Sequence, residues 1–78
     1  MLLKSAVRQT FDMRKFGCLL HNDTTVFICV DPSQPQFVVA TPSNKNDVVA
    51  LYDAIIKNWA YGEDVFDVQA WLSSNYRK

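Results

Sequence analysis

The run Thr24 to Val30, TTVFICV, carries no charge and is dense in β-branched and aromatic residues. Such a segment suits a strand covered on both faces, because side chains alternate across a sheet and none of these gains from facing water. In a chain of 78 residues, burying it consumes most of the interior that one small domain can build. A single globular domain over 1–78 is therefore expected, with function left to its surface.

The flanks of this run predict its partners. Arg14, Lys15, Phe16 and Gly17 lead into Cys18, Leu19 and Leu20, and His21, Asn22 and Asp23 form a polar break before the central strand. Asn and Asp tolerate the backbone angles of a tight turn, so this reads as a β-hairpin. A turn centred between Asp23 and Thr24 places Cys18 directly opposite Cys29, and moving the centre by one position makes the pair diagonal. Asp31 to Pro35 contains two prolines, which lack the donors a ladder needs, so a loop follows. Phe37 to Thr41 supplies a third strand, and the simplest sheet is an antiparallel meander with Thr24 to Val30 in the middle.

Helices are expected at both ends. From Leu3 to Met13, Lys4, Ser5, Arg8, Gln9 and Asp12 fall on one side of a helical wheel and Leu3, Ala6, Val7 and Phe11 on the other. An opening amphipathic helix is predicted, although Val7, Gln9, Phe11 and Met13 also partly satisfy a period of two. Beyond Pro42, a capped helix starts near Asp47 with Val48, Leu51, Tyr52, Ile55 and Trp59 at spacings of three and four, and Gly62 sits where a left-handed C-cap belongs. A second helix is predicted from about Asp64 to Tyr76, with Val65, Val68, Trp71, Leu72 and Tyr76 as its buried stripe and Arg77 and Lys78 at its end. The expected architecture is α+β: an N-terminal helix, a three-stranded antiparallel meander, and a C-terminal helical hairpin packed on the sheet.

The composition excludes several function classes. With eight basic and eight acidic residues, no global field draws the molecule to nucleic acid or an anionic membrane. Charge is nonetheless segregated: Lys4, Arg8, Arg14 and Lys15 stand against Asp12 alone up to His21, whereas seven acids face four bases beyond it. Leu2 and Leu3 are followed at once by Lys4, and no apolar run approaches membrane-spanning length, so a cytoplasmic protein is expected. In that compartment Cys18 and Cys29 are expected as inward-facing thiols.

Chemistry-bearing patterns are sparse. Cys18 and His21 share a C-x-x-H spacing with Cys29 across the hairpin, but three ligands do not close a structural zinc site. His21 is the only histidine, and no order of residues around either cysteine matches a nucleophile motif. Gly17 and Gly62 are the only glycines, too few for a phosphate-cradling loop. No catalysis, metal or cofactor is expected.

What remains is an aromatic excess near the helix junction. Trp59, Tyr61, Phe66 and Tyr76 are the candidate partner-binding residues, because tryptophan and tyrosine bury large rigid area at small entropic cost. The expected function is that of a small non-catalytic protein-interaction or regulatory protein. Short motif-free chains of this kind are common among accessory and inhibitor proteins of phages and mobile elements. With 49% apolar residues on so small a body, a homodimer is one way to hide the surplus. The alternative is a nucleic-acid-binding regulator using Lys4, Arg8, Arg14 and Lys15, interleaved with Phe11 and Phe16.

Overall fold

The structure, a computed structural model, describes residues 1–76 and the side chains of residues 1–74. Its elements in chain order are β1 (Leu2–Lys4), β2 (Thr10–Asp12), a 3-10 turn (Met13–Lys15), β3 (Cys18–His21), β4 (Val26–Cys29), β5 (Phe37–Ala40), α1 (Lys45–Ala60), β6 (Val65–Asp67) and α2 (Val68–Tyr76). They build two three-stranded sheets, ordered β2-β1-β6 and β3-β4-β5.

The second sheet is the expected meander. Cys18 pairs with Cys29, Leu19 with Ile28, Leu20 with Phe27 and His21 with Val26, which sets the turn centre between Asp23 and Thr24. Asn22 fixes that turn: its side-chain Oδ1 accepts the backbone N–H of Thr24 and of Thr25, both at 2.8 Å. At the opposite end the Gly17 N–H is shared between the carbonyls of Cys29 and Val30, each at 3.2 Å. A Cβ at position 17 would lie 2.8 Å from the Val30 carbonyl oxygen, so only glycine allows the strands to close here. Val26, Ile28 and Cys29 are wholly buried, but Phe27 is only half-buried. The central strand is thus covered fully on one face and partly on the other.

The first sheet corrects the expected order of elements. The segment predicted as an opening helix is a β-hairpin in which Leu3 pairs directly with Phe11. Both are buried, while Val7 is 45% exposed. Ser5 holds the intervening turn: its N–H donates to the Gln9 carbonyl at 2.8 Å, and its buried hydroxyl accepts from the N–H of Val7 and of Gln9. Arg8 takes a positive φ of 64° to close that turn. Apolar residues eight apart satisfy both two turns of a helix and a hairpin cross-pair, and here tertiary pairing selects the hairpin.

The C-terminal helical hairpin is likewise interrupted. Val65–Asp67 forms a strand parallel to β1, pairing Leu2 with Val65, Leu3 with Phe66 and Lys4 with Asp67. Period two explains it, since Phe66 is buried while Val65 is 50% exposed. Asp67 then caps the shortened α2, its Oδ1 accepting the Ala70 N–H at 3.1 Å. That bond, helped by Lys4, holds the Asp67 carboxyl below its ordinary pKa. Arg77 and Lys78, expected to complement the helix end, lie outside the described residues.

α1 matches its sequence pattern most closely. Asn44 caps its start by accepting the Asn46 N–H, and Val48, Leu51 and Ile55 are wholly buried. Its end is a Schellman motif: the Glu63 N–H donates to the Asn58 carbonyl, the Gly62 N–H to the Trp59 carbonyl, both at 3.1 Å, and Gly62 has φ 73°. α1 packs on β3 and β4, and α2 on β1 and α1. One contiguous apolar core runs from Leu3, Phe11 and Phe66 of the first sheet to Val26, Ile28 and Val39 of the second. Phe11, Phe16 and Phe37 close the seam between the sheets, with ring centroids 5.6 to 6.0 Å apart.

Candidate functional site

α1 carries a second apolar stripe outside the buried one, running towards its C-terminal end. Val49 and Ile56, seven residues apart and hence on one side of the helix, are 40% and 39% exposed. Where this stripe meets the capped end, Ile56, Trp59 and Ala60 line an open hollow of about 340 Å³. Trp59 is half-buried and packs against the core, which leaves part of its indole available. Tyr61, in the cap, is 76% exposed. The Schellman bonds hold the backbone from Asn58 to Glu63, so these side chains project from a rigid base.

The four aromatic candidates are therefore not equivalent. Trp59 and Tyr61 both lie at the end of α1, but two positions apart on helical backbone they point to different sides, and Trp59 alone of the two lines the hollow. Phe66 is 7% exposed and belongs to the core beneath β1, so it supports the fold and offers little to a partner. The side chain of Tyr76 lies outside the described residues. Ile56 completes the exposed ledge and was not among the sequence candidates; its signal was the seven-residue spacing to Val49, masked by the stronger Val48, Leu51, Ile55 stripe.

The four basic candidates divide in a different way. Arg14 grips Asp12 with two of its three guanidinium nitrogens, Nε at 3.0 Å and a terminal nitrogen at 2.8 Å. Together with the Arg14 backbone N–H, this lowers the Asp12 carboxyl to about 2. Lys4 lies 3.5 Å from Asp67. Asp12 and Asp67 pair with Leu2 and Lys4 on the outer face of the first sheet, so half of the proposed basic patch is laid beside acids. Arg8 sits in the tip of the first hairpin and Lys15 in the 3-10 turn. A second hollow on this face, lined by Met1, Leu2, Asp12, Arg14, Asp64 and Val65, is correspondingly mixed in charge.

The pairing of the meander separates Cys18 from His21. Residues three apart on a strand point to opposite faces, and the His21 ring packs edge-on against Tyr52 of α1 at 4.6 Å. Cys18 instead shares its face with Leu20, Phe27 and Cys29, away from α1. Among the described residues, no three His, Cys, Asp or Glu side chains gather in a way that could hold a metal ion. Nor is any helix of the described residues long and apolar enough to cross a membrane.

Comparison of the chain with protein-family models, with curated proteins and with solved structures gives no match.

Proposed function

We propose that this chain is a small non-catalytic protein-interaction module whose contact surface is the end of α1, built from Ile56, Trp59, Ala60 and Tyr61. The observation that carries this reading is the open apolar hollow lined by Ile56, Trp59 and Ala60, beside a highly exposed tyrosine in a cap whose backbone is already fixed. Aromatic anchors held rigidly lose little entropy on binding, and such residues dominate the energy of protein interfaces. The mixed acid and base pairs on the outer face of the first sheet favour a protein partner over a nucleic acid, whose phosphates reward unpaired cations.

The test compares the full chain with Ile56→Asp and Tyr61→Ala variants, each checked for native circular dichroism. Partners recovered by cross-linking in the source cell, and self-association by light scattering, are the readouts. The wild type should retain its partner in raised salt, and each variant should weaken binding at least about tenfold. Retention of the same partner at equal strength by both variants removes the ledge as the interface. Binding that collapses with salt and follows Arg8 and Lys15 transfers the function to nucleic acid.

A further inference from the structure

We infer that Cys18 and Cys29 form a thiol modification site, oxidised to an intramolecular disulfide by a small-molecule disulfide such as oxidised glutathione. The pairing geometry carries it. The two residues are directly opposed in the β3–β4 ladder. Opposed antiparallel residues have Cα atoms about 4.5 or 5.5 Å apart according to pair type, and both values fall within the range of roughly 4.4–6.8 Å that a disulfide spans. Both residues already sit in strands paired in this register, so no strand has to move to bring them together.

The register is held at both ends of the pair. Asn22 ties the turn through two backbone donors, and the shared Gly17 N–H clamps the open end beside Cys18. A slip that parted the cysteines would have to break both.

Access divides the chemistry between the two residues. Cys18 is half-buried and Cys29 wholly buried, so an external reagent meets Cys18. Burial, then the neighbouring Cys18 thiol, pushes the Cys29 thiol above its ordinary pKa, which also leaves the entering role to Cys18. The Cys18 thiolate attacks one sulfur of oxidised glutathione, whose S–S bond breaks and releases one glutathione thiolate. Cys29 then loses its proton and attacks the Cys18 sulfur, breaking the mixed disulfide and releasing the second glutathione. Two protein thiols are oxidised by two electrons, one glutathione disulfide is reduced, and the two thiol protons end on the two glutathione molecules. The ring closed over residues 18–29 locks the hairpin whose half-open face carries Leu20 and Phe27.

The test incubates the full chain in glutathione buffers of increasing oxidised fraction, blocks remaining thiols by alkylation, and reads intact mass. The expected product is a monomer that has lost both alkylation sites and carries no glutathione, with a Tm about 10 °C above that of the reduced chain. In Cys29→Ala, a glutathione adduct should persist on Cys18, because nothing resolves it. A stable adduct on the wild type, a disulfide-linked dimer, or unreacted thiols at an oxidised fraction that modifies Cys29→Ala would each overturn the assignment. So would a lower Tm for the bridged chain. The wild-type mass decides the matter even where the variant does not fold.

Discussion

The two sheets reach similar size by opposite routes. In β3-β4-β5 every neighbour in space is a neighbour in sequence, and each strand has four residues. In β2-β1-β6 every strand has three, and β6 arrives from the far side of the meander and α1 to pair in parallel with β1. The meander supplies its own register through its turns. The mixed sheet has one inward residue per strand, Leu3, Phe11 and Phe66; Ser5 holds the turn of its β1–β2 hairpin, but β6 takes its register from the rest of the fold. Local sheets survive on turn chemistry and distant ones on shared core, so the two should fail under different insults.

The largest effect should come from the single anchor of β6. Phe66→Ala removes a 7% exposed ring from a strand with no other buried side chain, and is expected to cost about 3–5 kcal/mol in urea unfolding. A cost below about 1 kcal/mol would show that β6 does not depend on the core. Gly17→Ala attacks the meander instead, forcing a Cβ to within 2.8 Å of the Val30 carbonyl oxygen. A loss of roughly 1–3 kcal/mol is expected, and amide exchange should quicken in β3 and β4 before β1.

A gain is expected from Arg8→Gly. Arg8 holds φ 64°, an angle glycine adopts freely, so stability should rise by roughly 0.5–1 kcal/mol. No change, or a loss, would indicate that the first hairpin does not hold its turn in this form. The smallest effect is in acid. Asp12 titrates at about 2 in the folded chain against an ordinary value of 3.8, so its pairing with Arg14 contributes fully above about pH 4 and is lost as pH falls towards 2. Arg14→Ala should flatten that part of the stability profile, slightly because both groups face solvent. An unchanged acid limb would mean that the exposed pair contributes nothing to folding.

How much of this was legible in the sequence follows the same division. The meander, its turn, the opposed cysteines, α1 and the Gly62 cap could be read because each signal lies within a few residues of what it specifies. The first hairpin could not, since Leu3 and Phe11 fit a helical stripe as well as a cross-strand pair, and three-residue strands are too short to establish a period. The sequence also offered Val65 as a buried helical position. In the structure Val65 faces out and Phe66 in, a choice made by β1, more than sixty positions away. At the candidate site, Trp59 and Tyr61 were visible as large aromatics beside a cap, but Ile56 became apparent only once the buried face of α1 was known. Phe66, a partner-binding candidate from the sequence, lies in the core because its segment is a strand and not a helix.

Parallel pairing of β1 with β6 also governs how the molecule bears tension. Pulling on the start of β1 and the finish of β6 slides two side-by-side strands in opposite directions, so their cross-links are strained together instead of opening in succession like a zipper. The weakest-looking sheet, three residues to a strand, is thereby the one positioned to resist mechanical stretching of the chain.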